Sequence, residues 1–204
     1  MSAQKTSVIA SSRDRVRESA KTLFADRGYE STSTAAICRL AGTSQSQLIK
    51  HFTNKQGVLE AIFEHSWEQI NPAVRLATEN IASPREKLRV LIDMVLGFLE
   101  KDRTTRTLFL LEGRRIRGDG HMIVLVPGFT EFIKMLDGIL KELAAQGEFA
   151  TNIHLHAFRS ALMGAIEGML RDRMLARSSR FPASYAETDM RAMISSLLSL
   201  VLTK

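Results

Sequence analysis

One cysteine, one tryptophan, two tyrosines and four prolines are spread through 204 residues. The lone Cys38 excludes an internal disulfide framework. No window approaches the roughly 18 uninterrupted apolar residues of a membrane-spanning helix. The longest apolar stretches, "HMIVLVPGF" and "SSLLSLVLTK", are too short. The opening "MSAQKTSVIASSRDR" has no apolar signal core, which points to the cytoplasm. Strand-like alternation, a repeat period and low-complexity tracts are all missing. No two of the five histidines stand four apart with a glutamate between them, and His154 and His156, two apart, should fall on different helix faces. No glycine-rich phosphate loop follows a strand. These gaps argue against an enzyme, and neither a cofactor nor a metal is expected.

What is present is charge, unevenly placed, and helical periodicity. The formal net charge is +6. Residues 1–60 carry nine Lys/Arg against five Asp/Glu, while the remainder of the chain is close to balanced. A basic N-terminal quarter on a nearly neutral body suits either a local polyanion contact or a solvated tail. A helical protein-interaction or membrane-surface protein that uses its basic N-terminus without reading DNA sequence is the competing function.

About nine helices can be read from apolar spacing and end signals, so the expected fold is all-α. Residues 2–12, rich in Ser, Ala and Thr, read as a tail. Val16, Ala20, Leu23 and Phe24 share a face that ends at Gly28. Ile37, Leu40 and Ala41 line a short helix that stops at Gly42. Ser44 and Gln47 form a capping box that starts another. Asn54 caps a fourth, with Leu59, Ile62, Phe63, Ser66 and Ile70 on one stripe, expected to stop at about Asn71-Pro72. Ser83, Pro84 and Glu86 start the next, with Leu88, Ile92, Val95, Leu96 and Leu99 on its face. Leu108 and Leu111 mark a short helix. Phe129 to Leu143 make a long one ending at Gly147, and about Asn152 to Ala176 another. Ser184 and Glu187 box the last, which carries Met190, Met193, Ile194, Leu197, Leu198 and Val201. The expected division is residues 1–53 and 54–204.

The chemistry concentrates in "AGTSQSQLIKHFTNK", residues 41–55. Two short helices separated by "AGT" make a helix-turn-helix, whose second helix lies in the DNA major groove with its N-terminal residues at base edges. Ser44 starts that helix, and Gln45, Ser46 and Gln47 supply the hydrogen bonds, since Gln pairs with adenine N6 and N7 and Ser with several edges. Leu48 is the inward anchor. Lys50, His51 and Lys55 are placed to meet phosphate, and Thr32, Ser33 and Thr34 at the preceding helix start can do the same.

The run "AKTLFADRGYESTSTAAICRLAGTSQSQLIKHFTNKQGVLEAIF" resembles the DNA-binding region of the TetR family of transcriptional regulators. Leu23, Phe24, Gly28, Tyr29, Thr32, Ile37, Ala41, Gly42, Ser44, Leu48, His51, Phe52, Lys55 and Leu59 match that family's pattern in order and without gaps. Four positions depart. Cys38 stands where Ala is usual, Thr43 where Val is usual and Ser46 where Gly is frequent. Ile49 replaces a tyrosine that commonly touches the DNA backbone, and it either meets a thymine methyl or packs.

The resemblance implies a three-helix DNA-binding domain joined by the fourth helix to a larger effector-binding domain. It also implies a homodimer formed by the last two helices, and repression of transcription from operator DNA, relieved by a small apolar or amphipathic effector. Ala157, Ala161, Gly164, Ala165 and Gly168 at helical spacing suit close helix approach, between subunits or within one. Core-facing stripes offer Phe63, Trp67, Ile70, Leu91, Val95, Leu108, Phe132, Met135, Met163 and Glu167 as effector-lining candidates, with plain core as the other reading of the apolar ones. Glu167 either anchors a polar or cationic group or pairs with an arginine at the subunit interface. "GRRIRGDGH" at 113–121 is either an anion site or a solvated loop.

Overall fold

The computed structural model describes residues 11–112, 125–178 and 180–203. The described residues form nine α-helices and no strand. They are α1 (Ser12–Arg27), α2 (Thr34–Ala41), α3 (Gln45–Phe52), α4 (Lys55–Thr78), α5 (Pro84–Lys101), α6 (Arg103–Leu111), α7 (Pro127–Ala145), α8 (Leu155–Ser178) and α9 (Glu187–Val201). The segment 113–121 singled out above lies outside the described residues. So does most of the N-terminal tail, although Ser11 and Ser12 leave it: Ser11 caps α1 by accepting the Asp14 N–H at 3.1 Å.

Two compact units emerge. One comprises the chain to Glu68 together with Lys101–Val126, and the other Gln69–Glu100 with Pro127–Lys204. In the first, α1 packs on α2, α3 and α6. Val16, Ala20, Phe24, Ile37, Leu48 and Leu59 form its buried centre. Cys38 lies in this core, and burial pushes its thiol above the ordinary range, so it stays protonated and inert. Leu40, expected on the apolar face of α2, is instead more than half exposed. α6 is tied to α1 by an ion pair between Lys21 and Asp102. Burial alone would raise the Asp102 carboxyl. The Lys21 ammonium and the Thr105 N–H and hydroxyl outweigh it and hold the group below the usual carboxylate range.

In the second unit α8 packs on α7 and α9, over a core of Leu88, Leu96, Leu140, Leu143 and Met190. Arg191 of α9 meets Asp93 of α5 at 2.7 Å. Glu100 of α5 is reached by Arg173 of α8 at 3.5 Å.

Two expected ends move. α4 does not stop at Pro72 but runs six residues further, to Thr78. Proline removes one amide donor and disfavours helix in the preceding residue, yet a single such loss is outweighed where the flanks are buried. Ile70, Asn71 and Val74 are all buried, and the Asn71 amide donates to the Gly128 carbonyl at 2.9 Å. α9 starts at Glu187 with Ala186 as its cap, two residues beyond the expected Ser184. The Tyr185 hydroxyl donates to the Met169 carbonyl at 2.8 Å and keeps that residue outside the helix. The acidic side chain that reaches back is Asp189, accepting the Ala186 N–H at 2.7 Å.

Candidate nucleic-acid interface

α2 and α3 are set by their caps. The Ser33 side chain accepts the Ala36 N–H at 3.1 Å and starts α2. Gly42 ends it in the left-handed region, at φ 60° and ψ 45°, where a residue with a Cβ is strained. The turn closes through the Thr43 N–H on the Cys38 carbonyl at 3.0 Å. Ser44 then caps α3, its oxygen accepting the Gln47 N–H at 3.2 Å and lying 2.9 Å from the Ser46 hydroxyl.

The rotation of α3 is fixed by Leu48, 0% exposed, and by Phe52 one turn on, also buried. Burying Leu48 alone contributes about 2 kcal/mol. Gln45, Ser46, Gln47, Ile49 and Lys50 are thereby left exposed. Gln45 and Ile49, four apart, make one row along the helix, and Ser46 and Lys50 make the next. This presents hydrogen-bonding side chains, one cation and one apolar group, the repertoire needed at base edges and phosphates. Ser33 is exposed and Thr34 half-exposed at the α2 start, beside backbone N–H groups left free by the helix geometry.

Three expected phosphate ligands are placed differently. Thr32 is 2% exposed, and its hydroxyl donates to the Gly28 carbonyl at 2.9 Å, so its side chain is turned into the core. Lys55 points back at the α1–α2 connection. Its ammonium donates to the Tyr29 carbonyl at 3.0 Å and lies 4.2 Å from the centre of the Tyr29 ring. Local spacing could not reveal this, because the partner lies 26 residues away. His51 is half-buried, with Nε2 2.8 Å from the Ser12 hydroxyl.

The same contacts show what sequence reasoning missed. Ser12 and Arg13, at the start of α1, sit beside the end of α3. The Arg13 guanidinium lies 5.6 Å from the centre of the Phe52 ring and is exposed. Arg15 donates from Nε to the Ala41 carbonyl at 3.1 Å. The surplus of arginine in this stretch was visible, but its proximity to α3 is a tertiary fact.

The α3–α4 connection carries strain. Thr53 has φ 66° and ψ −50°, and the Asn54 N–H bonds to the Phe52 carbonyl at 2.7 Å, which defines the rare γ-turn with positive φ. A β-branched residue there costs roughly 1–3 kcal/mol. Thr53→Gly should therefore stabilise the protein by about 1 kcal/mol after the added flexibility of the unfolded chain is subtracted. That corresponds to a melting temperature higher by about 2–4 °C. An unchanged or lower melting temperature would show that the turn is unstrained.

The six effector-lining candidates Phe63, Trp67, Ile70, Leu91, Leu108 and Phe132 are buried. Val95, Met135, Met163 and Glu167 are half-buried. Phe63, Trp67 and Leu108 fall in the first unit and the other seven in the second. Within the first unit, Phe63 meets Phe109 edge-on and Trp67 meets it at a tilt, with ring centres 4.9 and 5.4 Å apart. His154 and His156 are closer than expected, with rings 5.4 Å apart, because α8 begins only at Leu155. Among the described residues no group of three His, Cys, Asp or Glu side chains is arranged to hold a metal ion.

A helix-turn-helix whose second helix exposes Gln, Ser and Lys side chains from a buried Leu-Phe anchor, followed by a helical unit, defines a DNA-binding regulator. Residues 16–62 match the model of bacterial regulatory proteins of the tetR family, and residues 63–194 match that of the YsiA-like C-terminal region. The chain belongs to the TetR family and is a ligand-responsive, DNA-binding transcriptional regulator. It is 24% identical over 154 residues to the fatty acid metabolism regulator protein of Bacillus subtilis, covering 74% of this chain and 77% of that one. It is 26% identical over 144 residues to the transcriptional repressor KstR2 of Mycolicibacterium smegmatis, covering 71% and 70%. The fold is shared with the crystal structure of FadR from Bacillus subtilis in complex with stearoyl-CoA, at TM-score 0.73 and 22% identity, covering 91% of this chain and 95% of that one.

Proposed function

We propose that the protein represses transcription as a homodimer and leaves its operator when an amphipathic effector with a long apolar part, a fatty acyl-CoA first among them, binds the C-terminal unit. The observation that carries the DNA-reading part is the α3 surface: Leu48 and Phe52 face inward while Gln45, Ser46, Gln47, Ile49 and Lys50 are exposed. Gln45, Ser46 and Gln47 take base edges. Ser33, Thr34, Ser44 and Lys50 take phosphates, joined by Arg13, with His51 held by Ser12. The acyl-CoA part rests on similarity to the fatty acid metabolism regulator and on the half-buried Val95, Met135 and Met163, which are apolar and adaptable. Glu167 would sit near the polar end of that ligand.

For the dimer, α8 and α9 supply the support. Ala157, Ala161 and Gly164 are exposed in one stripe of α8, and Met193 and Leu200 are exposed on α9. Small residues there let two helix pairs approach closely, and a two-fold dimer sets its reading helices about 34–36 Å apart, one turn of B-DNA. An effector that fits only a differently spaced state shifts the population off the operator. No helix among the described residues is long and apolar enough to cross a membrane. On its similarity to DNA-binding regulators we place the protein in the cytoplasm with no catalytic role.

The test is selection of the preferred duplex from random DNA, followed by binding to that duplex and to a scrambled one. A two-fold symmetric preference and release by stearoyl-CoA are expected. Equal affinity for selected and scrambled DNA at moderate salt would remove the regulator reading. Retained binding at saturating stearoyl-CoA would remove only the effector assignment.

A further inference from the structure

We infer that Ile49 is a specificity residue that reads the C5-methyl group of a thymine in each half-site. The inference rests on the DNA-reading role proposed above and adds a base identity to it. Ile49 is 57% exposed although its neighbour Leu48 is 0% exposed. It is therefore not part of the core that orients α3. It lies one turn beyond Gln45 and beside the Ser46–Lys50 row, and the other exposed side chains of α3 are all polar. An isolated apolar side chain in the middle of a hydrogen-bonding surface has no donor or acceptor to offer a phosphate or a polar base edge. On the major-groove edges of the four bases the C5-methyl of thymine is the apolar group, and contact with it removes both surfaces from water. The residues around Ile49 decide against a protein occupant: Gln45, Ser46 and Lys50 would bring polar groups and a cation into an apolar interface, where they would be desolvated unpaired. On DNA each finds a partner.

Methyl recognition makes a sharp demand on the ligand. Replacing thymine by deoxyuridine deletes the methyl group and leaves every hydrogen-bonding atom in place. The selected duplex would be resynthesised with deoxyuridine at one thymine position at a time, symmetrically in both half-sites. Each would be titrated with the full-length wild-type protein and with Ile49→Ala. For the wild type, one position should weaken binding by about fourfold per half-site, the value of one buried methyl, and the others should not. For Ile49→Ala that position should lose its sensitivity while its neighbours stay unchanged. Placing 5-methylcytosine opposite guanine at the same position should recover less than thymine does, because the pair's hydrogen-bonding pattern changes with it. The exposure of Ile49 means that the alanine variant keeps its fold, which an unchanged melting curve confirms. If the wild type prefers the selected duplex yet no deoxyuridine position matters, Ile49 does not read a methyl and the DNA-reading role stands. The methyl-reading role is likewise overturned if the sensitive position stays sensitive in Ile49→Ala, since another residue then touches the methyl. If the wild type shows no preference between selected and scrambled DNA, the DNA-reading role falls, and this inference with it.

Discussion

Gly57→Ala is expected to destabilise the DNA-binding unit by about 3 kcal/mol and to abolish operator binding near its lowered melting temperature. Helix propensity alone predicts the opposite sign, since alanine in a helix interior is worth up to about 1 kcal/mol over glycine. The difference lies in the γ-turn at Thr53. That turn holds the Phe52 carbonyl through the Asn54 N–H and aims it at the first turn of α4. A Cβ on Gly57 would stand 2.0 Å from the Phe52 oxygen and 3.1 Å from its carbonyl carbon. The clash is with backbone on both sides, so no side-chain rotation relieves it. Relief requires either opening the γ-turn or tilting the start of α4, and each displaces Phe52, one of the two anchors of α3. Gly138→Ala is the control. Gly138 lies inside α7, and a Cβ there meets nothing within 4 Å. It should stabilise by up to about 1 kcal/mol. Thermal and denaturant melts, followed by operator binding, would separate the two. A Gly57→Ala protein as stable as the wild type would show that the α3–α4 connection gives way without loss. Double substitution of Thr53 and Gly57 should not be additive, because both act through the Phe52 carbonyl.

The residues that set these elements were legible in the sequence wherever their signal was local. Gly28, Gly42 and Gly147 read as helix ends, and all three have positive φ. Ser44, Asn54 and Ser83 read as helix starts, and each side chain accepts the backbone N–H three residues on. Leu48 read as an inward anchor and is fully buried. A cap is a contact between residues three apart, so the order of side chains contains it. The placements that spacing did not show share the opposite property. Thr32 is held by carbonyls that α1 brings to it, Lys55 by Tyr29, and His51 by Ser12, 39 residues away. Residue type said that each could meet a phosphate. Only the tertiary arrangement says that each has an inward partner already. α4 passed Pro72 for a related reason, because the burial of Asn71 and Val74 is set by the fold rather than by the proline. Ile49 is the converse case: its departure from the family pattern was visible, and its exposure made that departure informative.

Recognition and anchoring should separate cleanly among three exposed or half-exposed side chains of the reading head. Gln45→Ala is expected to reduce preference for the selected operator by about 1–3 kcal/mol per half-site, with non-specific affinity unchanged, because a paired amide against adenine is the interaction removed. Gln45 is exposed at the first turn of α3, so truncation leaves the fold intact. Lys50→Ala removes charge rather than hydrogen-bond pattern. It should weaken binding to every sequence alike and lower the salt slope by about 0.9 for each phosphate no longer neutralised. Lys55→Ala should do neither. Its ammonium is engaged with the Tyr29 carbonyl and ring, so its loss should appear as about 1–2 kcal/mol of stability, with the salt slope unchanged. The measurements are affinities for operator and scrambled DNA across a salt series, beside a thermal melt of each variant. Should Lys55→Ala flatten the salt slope as much as Lys50→Ala, the side chain must leave Tyr29 when DNA docks. The α1–α2 connection would then be a part that rearranges on binding, and the phosphate role first read from the sequence would be restored.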